Sequence, residues 1–160
     1  MTPLITLVSA TLLLRAAGAA GLRPLRSWRT ALRGGLAAMF VLTGTAHFNH
    51  MRDDLVAMVP PALPQPELLV TLTGLLELLG AAGLLHRRTA PWAAAGLTVL
   101  LVAMFPANVH AAAAGLTVNG QAATALLPRT LIQLAFIMAA AAVWLPAARK
   151  ARRAPRARTP

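Results

Sequence analysis

The sequence predicts an all-α fold: a polytopic transmembrane helical bundle of five spans, with the N-terminus outside and the C-terminus in the cytoplasm. Three observations carry this reading. Of 160 residues, 58% are apolar and only 12% charged. Adding the 11 glycines brings the apolar share to roughly two thirds, against about 45–50% in an ordinary globular domain. Five apolar stretches then reach the ~17–25 residues that cross ~30 Å of hydrocarbon. Finally, the basic residues between them sort to one side. The same numbers exclude disorder, which needs a chain poor in apolar residues. They also exclude a nucleic-acid module despite the +11 net charge, because such modules carry dense surface charge of both signs. With no cysteine, thiol catalysis, disulfides and cysteine metal sites are ruled out.

The spans are expected at residues 3–20, 34–50, 68–85, 91–112 and 128–146, forming one domain over 1–146. Pro128 and Pro146 punctuate the last of them. Residues 1–21 have the length of a signal core, but no positive charge precedes LITLVSATLLL, and cleavage would leave the following arginine-rich loop outside. That stretch is therefore read as a retained span. Arg23, Arg26, Arg29 and Arg33 fill the first loop, and Arg87 and Arg88 the third. Arg149, Lys150, Arg152, Arg153, Arg156 and Arg158 fill the tail. Basic residues beside spans stay in the cytoplasm, which orients the chain. Trp28, Trp92 and Trp144 are placed at the same interface as anchors. The tail, 147–160, is expected to be disordered and to touch anionic lipid, at about 1 kcal/mol per cationic residue near that surface. On the outer side, residues 50–66 suggest one amphipathic turn followed by a proline-rich return. Asn119-Gly120 suggests a two-stranded flap in the second outer loop.

Few polar residues interrupt the spans, and these are the candidate site. Glu77 lies about ten residues into the third span, so ~15 Å deep at ~1.5 Å per residue. A charged residue there costs about 2.5–3.5 kcal/mol on insertion scales, so it is expected to face the bundle interior with a partner. Arg15, ~19 Å from the outer end of the first span, lies within a few ångströms of the same level. It can form an intramembrane pair with Glu77 or snorkel to the cytoplasmic interface, and the sequence leaves both open. An unpaired Glu77 would be neutral and able to donate a hydrogen bond to Thr43 or a ligand. Nearer the outer face, Thr43 and His47 share a helix face through their four-residue spacing, and so do Arg129 and Gln133. Asn108 lies at the same level, just past Pro106, which lacks a backbone donor and is expected to kink the fourth span. Together Glu77, His47, Asn108, Thr43, Gln133 and Arg129 suit a small apolar-walled ligand site, or hydrogen bonding between helices alone. His47 and His110 are the one pair of histidines placed to hold a haem between helices. Without an attachment motif the sequence weighs against haem.

These residues fall in blocks. Phe40-x-x-x-Gly44-x-x-His47-Phe48 is followed by Met58-Val59-Pro60-Pro61-x-Leu63-Pro64-x-Pro66. Next come Thr73-Gly74-x-x-Glu77-x-x-Gly80-Ala81-x-Gly83-Leu84 and Phe105-Pro106-Ala107-Asn108-Val109, and lastly Pro128-Arg129 with Gln133. In order and spacing they resemble the DoxX family of small bacterial membrane proteins over residues 34–146. That family typically has four spans, so the first span here is an addition. The resemblance implies a compact helical bundle in the bacterial cytoplasmic membrane. Named relatives are described as membrane subunits of a thiosulfate:quinone oxidoreductase or as partners in oxidative-stress complexes. His47, Glu77, Pro106 and Asn108 are the motif positions carried over.

The expected function is an accessory subunit that binds a quinone or other lipophile in support of a partner oxidoreductase. No nucleophile, thiol or metal constellation points to a self-sufficient enzyme. A transporter or proton pathway using Glu77 and a purely structural bundle are the alternatives.

Overall fold

The computed structural model describes residues 1–118, 120–122 and 124–153. Helix α1 runs over Thr2–Ala19, and a short 3-10 turn, Arg23–Arg26, leads to α2, Trp28–Ala46. A seven-residue helix, α3, covers Arg52–Met58. Then come α4 (Pro66–Leu85), α5 (Ala90–Ala103) and α6 (Phe105–Ala113). A minimal antiparallel hairpin follows, β1 (Thr117–Val118) with β2 (Gln121–Ala122), pairing Thr117 with Ala122 and Val118 with Gln121. Helix α7, Leu126–Arg153, closes the described chain.

The protein is all-helical apart from that hairpin. Among the described residues, four helices are long and apolar enough to cross a membrane: Thr2–Ala19, Pro66–Leu85, Ala90–Ala113 and Leu126–Pro146. Their outward residues, such as Leu13, Leu79, Val99, Trp92 and Met138, are large, apolar and exposed, the surface a bilayer would cover. The expected second span differs. Helix α2 has 19 residues and starts at Trp28, six residues before the expected boundary at 34. It therefore includes Arg29 and Arg33, and hydropathy marks where lipid ends rather than where a helix ends. It is also the helix most shielded by protein, burying Ala31, Gly35, Leu36, Ala37, Met39, Phe40 and Gly44.

Helix α2 packs on α1, α4 and α7, while α4 packs on α5 and α5 on α7. The core lies among α2, α4, α5 and α7, with Leu7 of α1 joining it, and is built from Leu36, Met39, Phe40, Leu84, Leu97 and Val143 among others. Trp144 packs against this core, whereas Trp28 and Trp92 are exposed. Pro146 ends the apolar span Leu126–Pro146, as expected, but does not end the helix, which runs through it to Arg153. A proline removes a single ladder hydrogen bond, which a long, well-packed helix can absorb with a bend. The expected tail thus begins as helix as far as Arg153, and residues 154–160 lie outside the described residues.

One arginine assigned to the cytoplasmic loop has a structural task as well. Arg33 reaches from α2 to the end of α4, its Nε donating to Leu84 O and its Nη2 to Leu85 O, both at 2.8 Å. The last carbonyls of a helix lack intrahelical donors and carry partial negative charge, so a guanidinium fork satisfies two of them at once.

Candidate functional site

The site is built where α2 meets α4. Both helices carry a glycine at the crossing. A Cβ on Gly74 would lie 2.5 Å from His47 Cβ, and one on Gly44 would lie 2.9 Å from the Leu78 side chain and 3.2 Å from Glu77 Cβ. Small residues at these points let the backbones approach closely. That approach brings Thr43 of α2 and His47, the residue capping its C-terminus, against Val70, Thr73 and Glu77 of α4.

Glu77 and His47 are 3% and 4% exposed, so their polar atoms depend on protein partners. The Thr43 hydroxyl donates to Glu77 Oε2. His47 Nδ1 lies 2.8 Å from the carbonyl of Val70. A carbonyl only accepts, so this nitrogen carries the proton and the Nε2 lone pair points the other way. It faces Glu77 Oε1 at 3.9 Å. Thr73 Oγ1, 3.3 Å from His47 Nδ1, completes the cluster. Arg52 braces it from outside, Nη1 donating to His47 O at 3.0 Å and Nη2 to Glu67 O at 3.1 Å and Thr71 Oγ1 at 2.9 Å. One guanidinium thereby ties the end of α2 to the start of α4.

The three remaining candidates form a second group on other helices. The helix is interrupted between α5 and α6 at Met104, two residues before Pro106. With no N–H on Pro106, the helical ladder opens there, and Gln133 of α7 takes up the loosened segment by donating from Nε2 to Leu101 O. Asn108 Nδ2 donates to Gln133 Oε1 at 2.8 Å, and Arg129 Nη1 donates to Asn108 Oδ1 at 2.7 Å. Arg129, Asn108, Gln133 and Leu101 are thus one hydrogen-bonded line across the α6–α7 gap. Beside it a half-open apolar groove of about 160 Å³ is lined by Val102, Phe105, Thr130, Gln133, Leu134 and Ile137.

The six residues expected at one site therefore fall into two clusters, Thr43–His47–Glu77 and Asn108–Arg129–Gln133, and no hydrogen bond joins the two among the described residues. Arg15 and Glu77 are not brought together. Arg15 sits one turn from the end of α1, with its guanidinium 5.4 Å from the Trp28 ring centroid, a cation–π contact at the helix boundary. The two helix depths matched, but Arg15 leans toward its own helix end and Glu77 is already satisfied from α2. His47 and His110 are likewise separate, because His110 Nδ1 donates to Met58 O at 3.1 Å while His47 is held on Val70. Sequence reasoning left out Arg52, Arg33 and the Val70 carbonyl, and no local pattern announces them. Thr73 had a signal, its four-residue spacing from Glu77.

Among the described residues no group of three or more His, Cys, Asp or Glu side chains could hold a metal ion. No curated protein and no solved structure matches the chain. Residues 36–144, from α2 to α7 and including every candidate except Arg15, match the family described as a domain of unknown function (DUF8561), and the chain belongs to that family.

Proposed function

We propose that this protein is an accessory subunit of the bacterial cytoplasmic membrane that binds a quinone or similar lipophile and supports a partner oxidoreductase. In this reading α2 is the fifth span, the N-terminus is outside, and the basic loops, with the tail on anionic lipid, are cytoplasmic. The sidedness of the arginines supports the orientation. The mutual packing of α2, α4, α5 and α7, with α1 added against α2, supports a DoxX-like four-helix unit plus one span.

The observation that carries the binding reading is the groove at the α5–α6 break. Its volume of about 160 Å³ is close to that of an engineered apolar cavity of roughly 150 Å³ that takes up benzene. Val102 and Leu134 on its rim are 57% and 48% exposed, so the groove opens on the apolar outer surface, where a lipophile dissolved in the bilayer would arrive. Pockets of this kind combine apolar walls with a few placed polar groups, here the Asn108–Arg129–Gln133 line behind one wall.

Val102→Phe puts a ring into the groove from its exposed rim. Quenching of tryptophan fluorescence by decylubiquinone in mild detergent is expected to show affinity at least tenfold weaker in the variant. Equal affinity in variant and parent would remove this reading.

A second reading rests on a separate observation. His47 Nε2 faces a carboxyl oxygen of Glu77 at 3.9 Å, two proton-accepting groups side by side, the minimum a proton-handling site needs. It supports a proton pathway only if further carriers lead to it, and the residues around it are otherwise apolar or donate to backbone.

A further inference from the structure

We infer that the corner where the start of α2 meets the end of α4 is a headgroup site for an anionic phospholipid, with Arg29, Arg87 and Arg88 as its cationic face. This site is separate from the lipophile groove and from the tail, and it rests on neither. The inference starts from how completely the end of α4 is closed. Thr89 Oγ1 donates to Gly83 O at 2.7 Å, and Arg33 takes the carbonyls of Leu84 and Leu85. The N–H of Ala90 donates to His86 O at 2.9 Å. The carbonyls of residues 83–86 are thus all satisfied without the side chains of Arg87 or Arg88. Both side chains stand exposed on this tied turn, with no hydrogen bond or ion pair among the described residues.

Arg29 joins them from α2. It precedes Arg33 by four residues and so shares its face, about 6 Å further along the axis, beyond the helix end that Arg33 grips. Arg87 in turn lies near enough to Arg33 for the two charges to repel. Like charges gathered this closely are unfavourable unless an anion stands among them. The chain does not supply that anion. Its four acidic residues are Asp53, Asp54, Glu67 and Glu77. The first three lie at or before the opposite end of α4. Glu77 is about 12 Å up α4 from Leu85 and is engaged by Thr43. The surroundings indicate where the anion comes from. Leu85 and Trp92, on either side of the turn, are 68% and 81% exposed, an apolar flank beside the arginines. A soluble phosphate would use the charges alone. A phospholipid uses both, its phosphate on the guanidinium groups and its chains along Leu85 and Trp92.

Native mass spectrometry of the full chain in a neutral detergent tests this, with short-chain phosphatidylglycerol titrated against phosphatidylcholine of the same chains. The parent is expected to bind phosphatidylglycerol about tenfold or more tightly, the scale of a few cationic residues acting on one anionic headgroup. Arg87→Gln with Arg88→Gln should bring the ratio of the two affinities toward one, and Arg29→Gln alone should lower it part of the way. Lysine at 87 and 88 should keep most of it. Arg156→Gln with Arg158→Gln removes the same charge from the tail and should change the ratio clearly less. Using a ratio keeps a general loss of folding from imitating the result. No preference in the parent would overturn the inference. So would an equal fall in the tail variant, which would show a diffuse effect of net charge rather than a site. Glycerol 1-phosphate displacing phosphatidylglycerol at equal concentration would overturn it as well, by assigning the arginines to a soluble phosphate.

Discussion

Gly74→Ala is expected to destabilise the protein by about 2–3 kcal/mol, the upper part of the range for forcing extra volume into a packed contact. The added methyl would lie 2.5 Å from His47 Cβ and 2.8 Å from His47 Cγ. Neither is the far end of a flexible chain. His47 is also held by its ring on Val70 and by its carbonyl on Arg52, so it cannot turn aside without releasing both. The helices must separate instead. Gly44→Ala is the control across the same crossing. Its nearest atoms, Cδ2 and Cγ of Leu78, belong to a side chain that can rotate, and the loss should be clearly smaller. Thermal unfolding of the two variants and the parent in one mild detergent measures the order, and equal losses would show that His47 is not fixed as described.

Glu77 gives the second large effect, through a comparison of two substitutions. Glu77→Ala removes the better acceptor of Thr43, whose hydroxyl keeps only the 3.3 Å contact to Met39 O, and empties the space facing His47 Nε2, which is then buried with no polar group opposite it. A buried atom left so costs about 1–3 kcal/mol, and the side chain's volume is lost as well. Glu77→Gln keeps a carbonyl oxygen for Thr43 and offers an amide N–H toward the His47 lone pair. Its stability should therefore stay within about 1 kcal/mol of the parent, since the same hydrogen bonds can be made. The two variants differ strongly only if Glu77 acts through hydrogen bonds rather than as a charge. Equal damage from both would mean that a full negative charge is required at that position. Under the proton-pathway reading, Glu77→Gln would also abolish proton flux in proteoliposomes while leaving the fold intact, and flux indifferent to it would dismiss that reading.

Much of this fold is legible in one dimension. Apolar runs of spanning length place α1, α4, α5 with α6, and α7, because a bilayer imposes a fixed thickness and internal backbone bonding on whatever crosses it. The Asn-Gly signal anticipates a flap, and Thr117–Val118 does pair with Gln121–Ala122. The missing N–H of Pro106 anticipates an interruption, and the helix is interrupted at Met104. Glu77 stands out by cost alone. Helix ends were less legible. Trp28–Arg33 belongs to α2 because arginine is a good helix former, whatever its hydropathy.

Composition and charge sidedness thus determined by themselves that this is a helical membrane protein and which polar residues are exceptional. Only the tertiary structure decided who meets whom. Depth along a helix is readable from residue number, but azimuth and neighbour are not. Glu77 matched Arg15 in depth, yet the Gly44–Gly74 crossing of α2 and α4 delivers it to Thr43 and His47. The outer polar layer, which looked like one site, divides for the same reason: its members project from different pairs of helices. Hydrogen bonds between residues far apart in sequence, such as Thr43 to Glu77 and Asn108 to Gln133, depend on the close packing of small residues and on the α5–α6 break, which no local pattern of the chain spells out.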